Sequence, residues 1–527
     1  MARPPNFILF VTDQHRADHL GCYGNTVVRT PAIDSIAARG TRFDRFYVAN
    51  PVCMPNRASL MTGRMPSVHG VRHNGIPLSF DHVTFVELLA AAGYATALAG
   101  KSHLQNFTGK PAPFGFPDAP GKAAPPEALR EADRRQRRGA AYEAENDTLW
   151  RQGDHRIAMP FYGFARADIC TGHGDQVGGD YRRWLADRHP APDSLTGPAN
   201  ALPDAGRKAP QSWRTKLPEE LYPTAYVEDR ATDFLHSQAG ANAAPFFLQV
   251  SFPDPHHPFT PPGRFWDMYD PVAMTLPASF AGGDLAPLRR MRDELAQGTA
   301  VRDLPTVPFA VTPDEARVIL ALTYGMITMV DEAIGRILGT LAALGLDENT
   351  VVMFTSDHGD YMGDHGLMTK YLLHYQGLVR VPFIIADPAP AKAGNTTRRD
   401  LGGTIDIAPT ILARAGLQPF NGMQGRDLFD AATAAPDAIL IEEDSQIPMF
   451  GEATCERVRT LVTDRWRLTH HHGPGWWELY DLAADADENI NLWGRPDLRD
   501  VAEALCRQMI DRMTALQDVS PLPTGRA

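Results

Sequence analysis

Four continuous apolar runs, Asn6–Thr12, Tyr94–Gly100, Pro245–Phe252 and Asn349–Thr355, each stop at a cluster of polar side chains. Apolar character without alternation suits strands covered on both faces, as in a parallel sheet between helical layers. Ligands of such sheets bind beyond the carboxyl ends of the strands. The residues that follow the four runs are therefore the first candidates for chemistry: Asp13-Gln14, Lys101-Ser102-His103, Pro253-Asp254-Pro255-His256-His257-Pro258, and Ser356-Asp357-His358-Gly359-Asp360 with Lys370 beyond. Taken singly, each has an ordinary explanation as a turn, a helix cap or a solvated side chain. Their arrival at one sheet edge is what makes a site.

Between the first two runs lies Pro51-Val52-Cys53-Met54-Pro55-Asn56-Arg57-Ala58-Ser59-Leu60-Met61-Thr62-Gly63. Proline is pre-organised for the first helical position, so the sequence predicts a helix opened by Pro55 and running through Arg57 and Leu60. Cys53 would sit near its N-terminus, where free N–H groups and the helix dipole attract anions. Most cysteines are simply buried. The pattern Cys-x-Pro-x-Arg, however, arises by chance in only roughly 0.04 chains of this composition. With the Ala-Ser-Leu-Met-Thr-Gly-Arg that follows, it resembles the signature of the sulfatases of the alkaline phosphatase superfamily. That resemblance implies that a formylglycine-generating system oxidises Cys53 to formylglycine, whose hydrate carries two hydroxyls on one carbon. One hydroxyl attacks, and collapse through the other expels the bound anion, which splits one hard step into two. Thr30–Gly40, the Pro-His-x-Pro element at 255–258, Thr404–Leu412, Gly425–Leu428 and Glu478–Leu482 with Glu488 and Asn491-Leu492 are similar to further family segments. The likeness spans nearly the whole chain and is thinnest between about 110 and 240.

At 527 residues the chain exceeds what one hydrophobic core serves. The expected fold is α/β, a large mostly parallel sheet sandwiched by helices as in alkaline phosphatase, with a smaller C-terminal α+β domain containing an antiparallel sheet. The catalytic domain is expected over 1–432, with an irregular excursion from the sheet at about 110–240, and the second domain over 433–527. The latter follows from short strand-like pieces at 438–441, 458–462, 466–469 and 477–480. A helix-rich stretch opened by Thr312-Pro313-Asp314-Glu315 is expected from Thr312 to Leu344, a charged helical surface over Arg130–Arg138, and an edge strand or strand start at Val381–Ala386. A net charge of −12 and a pI near 5.8 argue against a nucleic-acid partner. Five widely spaced cysteines do not form a disulfide framework. With only Phe7–Val11 apolar near the start, the expectation is a cytoplasmic protein with no membrane partner. A homo-oligomer, dimer or tetramer, is expected because symmetric assemblies are common.

Asp13, Gln14, Asp357 and His358 offer mostly oxygen ligands, which suits one hard divalent cation, Ca²⁺ first, with Mn²⁺ as the alternative because of the imidazole. Arg57, Lys101 and Lys370 supply positive charge that the acidic chain otherwise lacks. The resemblance implies that Cys53, as formylglycine, is the nucleophile and a further metal ligand, and that Arg57 and Lys101 neighbour it. It also implies that His103 relays the gem-diol proton, and that His256 and Lys370 contact the transferred group and the leaving oxygen. Asn74 and His173 are placed at the substrate pocket. His257 is left out, since side chains alternate in an extended turn. Gln14 stands where a second aspartate is usual in sulfatases and His358 where asparagine is frequent; both resemble the phosphonate monoester hydrolases. The Lys101/His103 pair is the sulfatase arrangement. The leading reading is thus metal-dependent hydrolysis of small sulfate monoesters, arylsulfatase-like, with promiscuity toward phosphonates and phosphodiesters. The alternatives are a phosphonate monoester hydrolase or phosphodiesterase, and a non-catalytic binder of sulfate-bearing ligands with Cys53 unmodified.

Overall fold

The first apolar run lies in the middle of the sheet: Asn6–Thr12 pairs in parallel with Phe246–Ser251 on one side and Thr350–Ser356 on the other. The computed structural model describes residues 4–526 except 111, 113–114, 117–118, 134–136, 154, 241–242, 305–306, 390–393, 446–455 and 474. Among the described residues the sheet has nine strands, in the order Thr396–Arg398, Thr41–Phe43, Phe383–Ala386, Thr350–Ser356, Asn6–Thr12, Phe246–Ser251, Ala95–Lys101, Arg166–Thr171 and Gly178–Gly179. The five from Thr350–Ser356 to Arg166–Thr171 are mutually parallel, so their carboxyl ends share one edge.

Alternation along the central strand divides the core into two layers. Phe7, Leu9 and Val11 join a cluster with the helix Cys53–Thr62 and with Phe85–Ala91 and Ile407–Arg414. Ile8 and Phe10 join the other, with Pro31–Ala38, Pro223–Ser237 and Pro313–Ala343. The last of these is closed at its start by a capping box between Thr312 and Glu315. It is apolar and long enough to span a bilayer, yet 89% of its most apolar window is buried, as in a helix packed on a core.

Three expectations are corrected. The helix that carries Cys53 begins at Cys53 rather than Pro55, so Pro55 falls at the third position, where its missing N–H is one of the unsatisfied donors anyway. The stretch at 110–240 is not wholly an excursion: Arg166–Thr171 is a sheet strand and Pro223–Ser237 packs on the sheet. That strand escapes a periodicity reading because only Ile169–Thr171 are buried; its first three residues are half-exposed. Arg130–Asp133 and Arg137-Arg138 lie outside any helix, and 134–136 fall outside the described residues. Pro382 immediately precedes Phe383–Ala386, which runs antiparallel between two other strands, so it marks a strand start and not an edge.

In the C-terminal part, Ala438–Asp444, Arg457–Thr463, Trp466–His472 and Trp476–Asp481 form a four-stranded antiparallel sheet. The helix Arg499–Ala515 backs it through Leu505 and Met509 against Leu440, Leu461, Leu468 and Leu479. Val458 of this sheet packs on Val52, Tyr371 and Leu372, the neighbours of Cys53 and Lys370. Cys22, Cys53, Cys170 and Cys506 are free thiols; Cys455 lies outside the described residues.

Candidate active site

Five parallel strands deliver side chains to the same edge: Asp13-Gln14 after Thr12, His256 and His257 beyond Ser251, Lys101 at the end of its strand, His173 beyond Thr171, and Asp357-His358 after Ser356. Close strand contact behind Lys101 needs glycine. Gly100 has φ +108°, and a Cβ there would collide with the Ser251 carbonyl oxygen.

Cys53 is the first residue of its helix and is buried. The helix start is anchored from outside: Asn74 Oδ1 accepts from the Met54 N–H at 3.0 Å, and Asn56 Nδ2 donates to the Asp357 carbonyl at 2.5 Å. Around Cys53 Sγ stand Lys370 Nζ at 3.0 Å, His358 Nε2 at 3.1 Å and Asp13 Oδ1 at 3.8 Å. Lys370 Nζ is also 3.0 Å from both His256 Nε2 and His358 Nε2. Arg57 Nε donates to Asp357 Oδ2 at 2.7 Å, and its Nη1 to the Lys101 carbonyl and Ser251 Oγ, each at 2.9 Å. Lys101 Nζ is paired with Asp13 Oδ2 and lies 2.6 Å from His173 Nε2. Three buried cations thus meet two carboxylates, a locally positive pocket in an acidic chain.

Burial opposes ionisation of Asp13, but Lys101 and His256 outweigh it and hold the carboxyl well below the usual range. The imidazoles move the other way. Burial, reinforced by Lys370, lowers His358 to about 4. Burial and neighbouring positive groups also hold His103, His256 and His257 well below the ordinary histidine value. Neutral rings have one lone pair each, and the backbone decides where it points. His256 Nδ1 donates to the His257 carbonyl, which leaves Nε2 as acceptor for Lys370. His358 Nδ1 donates to the Gly359 carbonyl at 2.8 Å, which turns its Nε2 lone pair toward Asp13, Cys53 and Asp357.

Asp13, Cys53, Asp357 and His358 each offer a ligand atom, all within 4.8 Å of one another. Gln14 adds a buried Oε1 that has no hydrogen-bond partner among the described residues. Apart from Cys53 Sγ, the set is oxygen-rich with a single imidazole nitrogen, which fits a hard divalent cation. Asp13, His173 and His256 form a second close group, but Lys101 Nζ already bridges Asp13 and His173.

The structure brings together Asp13, Gln14, Cys53, Arg57, Lys101, His173, His256, Asp357, His358 and Lys370. His173 stacks on His256 at 3.6 Å between ring centroids. His103 packs against the Phe107 ring at 4.0 Å, and among the described residues its buried Nδ1 has no hydrogen-bond partner. Asn74 holds the start of the Cys53–Thr62 helix. His257, left out on the sequence, is a correction: it is buried, its ring is 4.0 Å from that of His256, and its Nδ1 is 3.0 Å from Gln14 Nε2. Alternation holds for strands, and a turn enclosed by Pro255 and Pro258 is not one. Asp360, on the same loop as Asp357, was visible as a carboxylate two residues after His358.

The family model described as Sulfatase matches residues 5–417, and that of the C-terminal region of N-sulphoglucosamine sulphohydrolase matches 363–515. The arylsulfatase of Clostridium perfringens is 28% identical over 531 residues, covering 98% of this chain and 95% of that protein. The N-acetylglucosamine-6-O-sulfatase of Bacteroides thetaiotaomicron is 26% identical, with 98% and 88% covered. The solved structure of the phosphonate monoester hydrolase of Agrobacterium radiobacter superposes with a TM-score of 0.74 at 25% identity, covering 98% of this chain and 96% of that one. Sequence match, sheet and site agree, and the chain belongs to the sulfatase family of the alkaline phosphatase superfamily.

Proposed function

We propose that the enzyme hydrolyses small sulfate monoesters, arylsulfatase-like, through a formylglycine made from Cys53 by a formylglycine-generating partner. The observation that carries this reading is the setting of residue 53 at a helix start, with Lys370 Nζ and His358 Nε2 within 3.1 Å of its side chain. A divalent cation, Ca²⁺ first and Mn²⁺ as the alternative, held by Asp13, Gln14, Asp357, His358 and the modified residue 53, supplies Lewis-acid polarisation of oxygen. Arg57, Lys101 and Lys370 bind and orient the sulfate group. One hydroxyl of the hydrated aldehyde gives its proton to His103, which burial and Lys101 keep neutral. Its oxygen forms a bond to sulfur as the bond from sulfur to the alcohol oxygen breaks. The departing oxygen keeps the electron pair and takes a proton from the Lys370–His256 pair. The second hydroxyl then gives its proton back to the Lys370–His256 pair and becomes the aldehyde carbonyl. The bond from carbon to the sulfate oxygen breaks, sulfate leaves, and water restores the diol. Asn74 and His173 complete the pocket wall.

A phosphonate monoester hydrolase is the second reading, favoured by Gln14, His358 and the structural likeness at a TM-score of 0.74. Both readings are tested by kcat/KM for an aryl sulfate and an aryl phosphonate monoester on one sample. The sulfate is expected to be preferred. Chelation is expected to lower both rates about 100-fold or more, with recovery on adding Ca²⁺ or Mn²⁺. Preference for the phosphonate establishes the second reading. A protein that retains metal and binds aryl sulfates without turning them over is a binder, and contradicts both.

A further inference from the structure

We propose that Asp360 and His257 form a clamp that orients the Gln14 amide, turning its carbonyl oxygen to the cation and making an amide, not a carboxylate, the required group at position 14. The inference rests on the metal-dependent reading above. An amide nitrogen carries two hydrogens, and both are engaged. Gln14 Nε2 donates to Asp360 Oδ2 at 2.5 Å and lies 3.0 Å from His257 Nδ1, the ring atom placed to accept. With the nitrogen saturated, Oε1 is buried and has no hydrogen-bond partner among the described residues, so its lone pairs are those the residue can offer a cation. The backbone holds the same choice. Gln14 has φ +63°, and its N–H donates to the metal-set residue Asp357 at 3.1 Å. A left-handed conformation at a residue other than glycine persists where its surroundings enforce it.

Asp360 cannot turn away. Its second oxygen, Oδ1, accepts from the Met362 N–H at 2.6 Å and the Thr369 N–H at 3.0 Å. Oδ2 therefore stays directed at position 14. A carboxylate at 14 has no N–H to give and would set its oxygen against Asp360 Oδ2, acceptor against acceptor. Gln14 is thus matched to Asp360, and its neutrality is a consequence of the loop that follows His358. Asp360 and His257 are positioning residues: they act on the cation through Gln14.

The test is isothermal titration of Mn²⁺ into chelator-stripped full-length protein, paired with the rise in melting temperature on metal addition. In Asp360→Asn the Met362 and Thr369 amides retain Oδ1, so the new side-chain nitrogen faces Gln14 Nε2, donor against donor. Gln14 must rotate, and its N–H groups then face the cation; Mn²⁺ binding is expected to weaken about 10- to 100-fold. In the double variant Asp360→Asn with Gln14→Glu, one oxygen of the carboxylate at position 14 accepts from the new amide at position 360 and the other faces the metal. Affinity is then expected within about threefold of wild type. Wild-type affinity in Asp360→Asn, or no recovery in the double variant, overturns the clamp. Should Asp360→Asn fail to fold, Gln14→Glu alone decides, with a loss of about 10-fold expected and an unchanged affinity contradicting the proposal. Wild-type protein that binds Mn²⁺ but hydrolyses no sulfate ester overturns the substrate reading and leaves the clamp standing. Wild-type protein that binds no divalent cation overturns both.

Discussion

Replacing Cys53 by alanine is expected to lower kcat for sulfate-ester hydrolysis by about 10⁴-fold or more, because no nucleophile and no convertible thiol remain. What survives is electrostatic: Lys370, Arg57 and Lys101 still surround the vacated position. The fold should tolerate the change. Alanine retains the Cβ and the helical backbone, and Asn74 still holds the Met54 N–H, so the melting temperature should move by no more than a few degrees, about 1 kcal/mol. Cys53→Ser separates attack from release. Serine has one hydroxyl; it can take the sulfuryl group but has no second hydroxyl through which to expel it. A single turnover followed by a stalled covalent sulfate ester, about 80 Da heavier by intact mass, is the expected result. Steady turnover by either variant, after exclusion of contaminating wild type, would remove residue 53 from the chemistry.

Lys370→Ala carries the second large effect, an expected loss of about 10³-fold in kcat. Burial alone would lower the basicity of Lys370, but its acidic neighbours, Cys53 first, then Tyr371 and the carboxylates of Asp13 and Asp357, push it up. Its Nζ lies 3.0 Å from Cys53 Sγ, His256 Nε2 and His358 Nε2 at once, and in the proposed mechanism it meets the charge that develops on the departing oxygen. Alanine leaves His256, with its Nδ1 committed to the His257 carbonyl, without the proton source. The loss should therefore grow as the leaving alcohol becomes less acidic. A plot of log kcat against leaving-group pKa should steepen in the variant, and an unchanged slope would assign Lys370 to sulfate binding instead.

Much of the frame could be read before any coordinates, for a physical reason. Strands covered on both faces need apolar residues at every position, so Asn6–Thr12 and the three similar runs stand out in the chain. A capping box is local, and Thr312 with Glu315 announced the 31-residue helix. Arg166–Thr171 lies toward the sheet's edge, buries half its length and carries Arg166 and Asp168 in its open half, so its pattern resembles a loop. His173 was marked by the glycines around it, but only the strand before it explains why it meets Lys101. Least legible were partnerships across the chain. Gln14 and Asp360 are 346 residues apart, and neither residue type declares the other. Sequence spacing reports which strand end a side chain leaves; which atom of an amide faces inward is decided by neighbours brought there by the fold.

The most direct test of the account is the mass of the tryptic peptide spanning Phe46 to Arg57, taken from protein made in its native host. Conversion of the thiol to the aldehyde predicts a loss of about 18 Da, and trapping with a hydrazine should follow the active fraction. A peptide at the full cysteine mass, from a preparation that turns over aryl sulfate at its full rate, would contradict it.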